Sequence, residues 1–356
     1  MDRYAVIIAG GAGERFWPLS RIAKPKHLWN IAGGRDCLLE QTLQRVGKIV
    51  RPDRIVIITN SEQVDGICAS CPNVSKEMII AEPIGRDTTA AIGLAAILIR
   101  RKSPEASFAV FPSDHVIENV SGFSDTLECA FALAESGDNL VTIGIPAAAP
   151  STAFGYIKRG EKKDTELGEI FKVDRFFEKP SYDRAVSYVE SGKFYWNAGV
   201  FVWKADTILK AIKSAVPAIY ASLEKISSAL DANVPLGETL KENYPEIEKI
   251  SIDFSVMERA NNAWVVPARF DWDDVGSWSA IERHYPKDAS SNVSVGELFG
   301  AQSQDCVVFD AAGRATVLLG VKDIIVVHAK DATLVCRKDC AERLKDLVRT
   351  LPPKYR

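Results

Sequence analysis

Residues 4–29 read YAVIIAGGAGERFWPLSRIAKPKHLW. An apolar run ends in Gly10, Gly11 and Gly13, and four cations follow: Arg15, Arg21, Lys24 and Lys26. A strand that breaks into glycines and then cations is a place to hold phosphate, because glycine backbone exposes N–H groups that approach an anion closely. Two familiar phosphate loops do not fit. A dinucleotide fingerprint started at Gly11 meets Phe16 where its third glycine should stand, and no Lys-Ser/Thr pair follows the last glycine as a Walker loop requires. Pro18 and Pro25 also forbid a long helix directly after the turn. The stretch therefore reads as a glycine turn followed by an irregular arm that carries cations around the far end of a polyphosphate. The plain alternative is a solvated basic loop.

Outward from this stretch, the first half alternates strand-like and helix-like segments. Residues 5–9, 54–59, 77–81, 108–112 and 140–145 read as strands. Leu38, Leu39, Thr42, Leu43, Val46 and Ile49 fall on one helical face, and Asp87 stands as the N-cap of a helix reaching about Arg101. Such alternation predicts a doubly wound, mostly parallel α/β sheet whose ligands lie outside the carboxyl ends of the strands. After Pro150, FGYIKRG and IFKVDRFFEKP read as an antiparallel excursion and YWNAGVFVW as a strand. Residues 206–230 read as one long helix and ISIDFSVMERA as another, and AWVVPARFDWDDVGSW runs from a strand into an acidic loop. From about Ser290, Lys-Asp recurs at 322, 330 and 338 with short apolar arms between. This pattern predicts a small stack of β-arms closed by a helix over 340–351. The linker PKDASSNVS sets the expected boundary, a catalytic unit over 1–288 and a small β domain over 289–356.

Composition narrows the class. A chain of 356 residues with 47% hydrophobic side chains supports one large core and a smaller satellite. A net charge of −3 is not the basic excess that nucleic acid or an anionic membrane asks for, and no apolar stretch spans a bilayer. The N-terminus lacks the features of a secretory signal, and seven scattered cysteines suit a reducing cytoplasm. Cys68-Ala-Ser-Cys71 admits a redox pair, or half a zinc site with Cys336 and Cys340 as the rest. The lack of a second Cys-x-x-Cys favours ordinary thiols near helix ends. The four histidines are too dispersed for a metal cluster.

The acidic and polar sites outside the arm decide what the arm is for. AVFPSDH ends a strand with Asp114, and FDWDDVGSW offers Asp274 in a glycine-containing loop after another strand. One carboxylate from each of two loops, together with substrate phosphates, is how magnesium is usually held. FFEKP sets Glu178 beside Lys179 at a strand end, and WNAG brings Asn197 to the same rim. Taken singly these are a capping acid, a surface ion pair and a turn amide; together, after successive strands, they describe a site.

GGAGERFWPLSRIAKPKHL resembles the signature of the sugar-1-phosphate nucleotidyltransferases, G-G-x-G-x-R-x-x-P-x-S followed by P-K. PSDH, FGYI, FFEKP, WNAGVFVW and WDDVGSW extend the likeness over almost the whole chain. They point to the branch that moves a guanylyl group from GTP to α-D-mannose 1-phosphate. The resemblance implies a doubly wound nucleotide-binding domain and a short C-terminal left-handed β-helix placed at a dimer contact, hence a homodimer. Longer relatives add a cupin-type isomerase domain, which is not expected here. Carried over by motif, the backbone at Gly10, Gly11 and Gly13 cradles the nucleotide, and Gly85 and Arg86 of EPIGRD touch its base or ribose. Arg15, Lys26 and Lys179 are the catalytic cations, and Asp114 and Asp274 hold Mg2+. Gly155, Glu178, Lys179 and Asn197 receive the sugar phosphate. Two departures stand out: His27 where the family commonly has Gln, and Asp87 where it commonly has Asn.

The implied reaction needs no general base, because a phosphate monoester is already ionised at neutral pH, and no Ser-His-Asp or catalytic cysteine set is visible. Three rivals remain open at this level. One is a nucleotidyltransferase using another nucleoside triphosphate or another sugar phosphate. A second is a regulatory subunit that binds GDP-mannose without turnover. A third is an NAD-dependent dehydrogenase, weakened by the missing third glycine.

Overall fold

The computed structural model describes residues 1–356. Its first strand, β1 (Arg3–Ile8), sorts the core onto two faces, because successive strand residues point to opposite sides. Tyr4 and Val6 join one apolar cluster with the helix over 87–102, whereas Ala5 and Ile7 join another with the helix over 38–46. A strand buried on both faces needs an unbroken apolar run, which is what Val6–Ile8 provides.

The elements follow in order as α1 (Leu38–Val46), β2 (Ile55–Asn60), α2 (Val64–Ser70), β3 (Ile79–Glu82), α3 (Asp87–Lys102), β4 (Ser107–Pro112), α4 (Val120–Glu135) and β5 (Leu140–Pro146). Then come β6 (Tyr156–Thr165), β7 (Gly168–Phe177), α5 (Tyr182–Glu190), β8 (Phe194–Lys204), α6 (Ala205–Ala215), α7 (Pro217–Asp231), α8 (Leu236–Asn243) and β9 (Ala263–Pro267). All nine strands form one sheet in the order β3-β2-β1-β4-β8-β5-β9-β7-β6. The block β3-β2-β1-β4 is parallel, as is the pair β5–β9. Strand β8 runs antiparallel to both β4 and β5, so those two share a direction. The carboxyl ends of β1, β3, β4 and β5 therefore lie along one edge, and β8 brings its first residues to that edge, with Asn197 opposite Gly144.

Two predicted helices differ. The expected helix over 206–230 breaks at Val216, and Pro217 opens α7 instead. Proline has no N–H for the preceding turn and its ring clashes there, but it suits a first helical position. ISIDFSVMERA forms only a single wide turn, Asp253–Met257.

The C-terminal part is a β-helix. Strands β10 (Val293–Val295), β12 (Val307–Asp310) and β14 (Ile324–His328) stack in parallel, and β11 (Leu298–Ala301) stacks on β13 (Thr316–Leu319). Strand β15 (Thr333–Arg337) returns antiparallel to β14. The Lys-Asp spacing does not mark the rungs. Val307 stacks on Val293 and Ile325 on Val307, spacings longer than eight residues. The Lys-Asp pairs instead punctuate the β14–β15 hairpin. The expected terminal helix is shorter, a tight turn over Lys338–Arg343 followed by α9 (Leu344–Val348). This part is not a free satellite. Phe16, Leu19 and Trp278 share one apolar cluster with Val307, Phe309, Leu344 and Val348, so the opening arm is packed against the β-helix. No helix is long and apolar enough to cross a membrane.

Candidate active site

The glycine turn after β1 is shaped by one glycine in particular. Gly13 has φ 63°, and a Cβ there would lie 2.6 Å from the Lys26 Cβ. The arm therefore folds back on itself only because position 13 has no side chain. Lys26 is brought under the turn and buried, and its Nζ donates to Asp114 Oδ2 at 2.8 Å and to the Asp274 carbonyl at 2.6 Å. One ammonium thus ties the arm to the ends of β4 and of the loop after β9. Gly13, Arg15, Lys26, Asp114 and Asp274 line a single cleft of about 420 Å³.

Of the four cations in the arm, two are spent elsewhere. Arg21 donates to the Pro18 carbonyl and pairs with Asp331 at 3.0 Å, and the Lys24 Nζ sits 3.8 Å from the Trp29 ring centroid. Arg15 reaches the cleft, held by Glu342 at 3.1 Å and 3.4 Å from the Gly276 carbonyl.

The three neighbouring aspartates behave differently. Burial opposes ionisation of Asp114, but Lys26 overrides it and holds the carboxyl down at about 2. Burial raises Asp274 to about 6; Lys26 pulls it down, while Asp273 and Asp114 repel its charge. Asp273 also feels burial, yet Arg283 and His284 hold it well below the usual carboxylate range. Asp273 accepts from Arg283 Nη2 at 2.7 Å and from the Val275 N–H at 2.8 Å, so it is occupied in shaping the loop. Val275 itself sits at φ 43°, a strained conformation for a β-branched residue, between Asp274 and Gly276.

A second group gathers around β8. A Cβ on Gly155 would lie 2.6 Å from Glu178 Oε2, so the absence of a side chain is what lets that carboxylate approach. Asn197 N–H donates to the Gly155 carbonyl at 2.9 Å, and Asn197 Nδ2 donates to Asp253 Oδ1 at 2.6 Å. Lys179 lies 3.3 Å from Glu178, is largely exposed and has φ 40° just before Pro180. Asp253 was not anticipated from sequence. Burial and then the Glu178 charge raise its carboxyl to about 6. Its signal is only the acid inside ISIDFSV, and nothing local marks it out.

The nucleotide candidates divide. Gly10 and Gly11 follow β1 at the carboxyl edge, and a Cβ at Gly11 or Gly85 would meet nothing within 4 Å. Gly10 faces Glu82, a buried acid at the end of β3 that accepts from the Tyr244 hydroxyl and is raised by burial to about 7. Glu82 also went unanticipated, although it opens EPIGRD. The Arg86 guanidinium donates to the Pro245 carbonyl. Asp87 has φ 67° and its Oδ1 accepts from the Thr88 N–H at 2.8 Å. Asp and Asn are the side chains that enter this region most readily, which accounts for an Asp in place of Asn. His27 is buried and its pKa is pushed down to about 4 by that burial, so it stays neutral beside Lys26.

The cysteines are free thiols, and their one close grouping is not the one that the Cys68–Cys71 spacing admits. The group within ligand reach is Cys37, Glu40 and Cys71, with the two sulfurs 3.5 Å apart, and neither Cys336 nor Cys340 takes part.

Known proteins match both parts. The nucleotidyl transferase family profile matches residues 4–291, and that of the MannoseP isomerase/GMP-like beta-helix domain matches 296–351. The chain is 36% identical to a mannose-1-phosphate guanylyltransferase of Escherichia coli K12, over 97% of its own length and 72% of that protein. It is 35% identical to the enzyme of the same name from Salmonella montevideo, over 96% and 72% of the two chains. A crystal structure from Thermus thermophilus, described as a mannose-1-phosphate geranyltransferase, superposes with a TM-score of 0.84. It is 33% identical, and the match covers 98% of this chain and 99% of that one.

Proposed function

The chain belongs to the nucleotidyl transferase family, and from that premise we propose that it transfers a guanylyl group from GTP to α-D-mannose 1-phosphate, releasing GDP-mannose and pyrophosphate. The observation that carries the reading is the Lys26 ammonium, which joins Asp114, the Asp274 loop and the glycine turn in one polar cleft. A phosphate oxygen of the sugar substrate attacks the α-phosphorus of GTP. The bond to the β-phosphate oxygen breaks, and its electron pair leaves with pyrophosphate. The nucleophile is already an anion, so the chain's task is to position two anions and to cancel their charge. The turn at Gly10, Gly11 and Gly13 presents backbone to the phosphates, and Arg15 and Lys26 face the departing pyrophosphate. Gly155, Glu178 and Asn197 hold the sugar, and Lys179 reaches its phosphate from the rim. Gly85 and Arg86 flank the base.

The donor set suits magnesium. Asp114 and Asp274 offer hard carboxylate oxygens, and the raised Asp274 carboxyl reflects buried negative charge that a dication neutralises. Mg2+ held by these two residues would supply charge neutralisation between the two phosphates.

The division into a catalytic unit over 1–288 and a β-helix over 289–356 belongs to the same proposal, as do a cytoplasmic setting and a homodimer. The dimer is supported by an apolar strip on the outer face of β11 and β13, where Phe299, Val317 and Leu319 are all exposed and Phe299 stands opposite Val317.

Pyrophosphate release from the purified chain, with four nucleoside triphosphates crossed against several sugar 1-phosphates, tests the reaction. GTP with mannose 1-phosphate is expected to be fastest. Preference for UTP or for glucose 1-phosphate would overturn the substrate assignment.

A further inference from the structure

We infer that α9 and the residue capping its end supply two further cations, Lys345 and Arg349, to the pyrophosphate end of the cleft, so that the C-terminal segment completes the polyphosphate site. This rests on the guanylyl-transfer reading and adds binding residues to it from outside the family's glycine-rich signature.

The first ground is placement. Lys345 and Arg349 line the same cleft as Gly13, Arg15, Lys26 and Asp114. The second is helical register. Leu344 and Val348, four residues apart, are buried in the apolar cluster that holds Phe16 and Leu19. Lys345 and Arg349 occupy the next stripe of the same helix, and the Arg349 N–H donates to the Lys345 carbonyl, so the turn continues to that residue. Burying one stripe on the arm therefore aims the adjacent stripe at the arm's phosphate side. A solvent-facing helix has no reason to place both cations there.

The third ground is the way the arginines are held. Arg349 pairs with Glu14 at 2.9 Å, and Arg15 pairs with Glu342 at 3.1 Å. The two pairs cross between the arm and the C-terminal segment in opposite senses, one acid on each side. Arg349 is 62% exposed and Glu342 58% exposed, so neither pair is strongly held. Guanidinium prefers a phosphate oxygen, which it meets with two parallel donors, over an exposed carboxylate. A polyphosphate entering the cleft thus draws Arg15 and Arg349 from their acids and gathers four cations, with Lys26 and Lys345, around its far end. Pyrophosphate is the ligand class that fills this position without the rest of the nucleotide.

Pyrophosphorolysis of GDP-mannose by the full-length chain separates this subsite from the others, because pyrophosphate and GDP-mannose are varied independently. The double variant Lys345→Ala/Arg349→Ala is expected to raise the KM for pyrophosphate about tenfold or more, with the KM for GDP-mannose unchanged. Arg349→Lys, which keeps the charge, is expected to recover part of the loss. Glu14→Gln, which breaks the same ion pair but leaves Arg349, is expected to lower the KM for pyrophosphate. An unchanged pyrophosphate KM in the double variant overturns the inference. So does an equal rise in both KM values, or a Glu14→Gln variant that mimics the double variant, since each marks the pairs as structural. If the wild-type chain turns over no GDP-mannose at all, the guanylyl-transfer reading is what fails. Calorimetric titration with inorganic pyrophosphate then decides the inference alone: binding to wild type about tenfold tighter than to the double variant sustains it, and equal affinity ends it.

Discussion

Asp114, Asp273 and Asp274 show how three carboxylates of one type acquire separate tasks. Asp273 is paired with Arg283, hydrogen-bonded to His284 and ties down its own loop, whereas Asp114 and Asp274 flank Lys26 in the cleft. Asp114→Asn or Asp274→Asn is therefore expected to lower turnover about a hundredfold, the loss typical of one transition-state stabiliser, with the fold intact. Asp273→Asn is expected to lower the melting temperature first. Steady-state rates and melts of the three variants check this, and an active Asp274→Asn enzyme would remove Asp274 as a ligand of the proposed metal. Asp253 gives a pH signature of its own. Burial and Glu178 raise its carboxyl to about 6, above the roughly 4 of an unfolded chain. The folded state keeps that proton where the unfolded state has lost it. This stabilisation is complete below about pH 4 and disappears as pH rises through about 6. Asp253→Asn keeps an acceptor for Asn197 and removes the penalty. Its melting temperature is expected to match wild type at pH 4 and to exceed it by a few degrees at pH 7.5. Equal melting at both pH values would show that the carboxyl titrates normally.

At the scale of elements, the glycine turn is the joint on which the cleft depends. A side chain at Gly13 faces two penalties: the left-handed conformation, about 1–2 kcal/mol, and collision with Lys26. Gly13→Ala is expected to lower both stability and turnover, because Lys26 must move away from Asp114. Gly11→Ala meets no atom within 4 Å and is expected to melt like wild type. Thermal melts of the pair test the distinction, and two equally stable variants would contradict the geometry. The break at Pro217 shows the same local logic in a helix, since a single imino acid divides what apolar periodicity would have joined.

For the whole molecule, the β-helix has two different faces. Its inner side shares a core with the opening arm, and the outer face of β11 and β13 leaves Val317 74% and Leu319 71% exposed. Such a strip on a globular domain marks a contact. If the proposed dimer forms through this face, Val317→Lys with Leu319→Lys is expected to shift the chain from dimer to monomer in sedimentation equilibrium, with the melt of each protomer little changed. A wild-type chain that sediments as a monomer would remove this face as the dimer contact.

Much of this was legible in the chain itself. The apolar runs in β1, β2 and β4, the glycines of the turn and the aspartates at strand ends are local patterns. Backbone sterics and burial act on them within a few residues, so the parallel block and the edge that gathers the candidate site could be read directly. The reading of the opening arm as a phosphate holder came from local order alone, a strand running into glycines and then cations. What no local pattern carried was which cations reach the cleft and which are diverted. Arg21 is taken by Asp331, and Lys24 by Trp29, while Lys26 finds Asp114 and the Asp274 loop across long stretches of chain. Asp253 and Glu82 gained their raised carboxyls from burial, which depends on what packs over them. The β-helix rungs were hidden behind a more regular Lys-Asp spacing, because stacking constrains only the inward apolar residues and lets the corners vary in length. Above all, the closure of α9 over the arm arises from the apolar cluster joining Phe16 and Leu19 to Leu344 and Val348. Burial of apolar surface is non-directional along the sequence, so only the folded chain decides which distant segments share it.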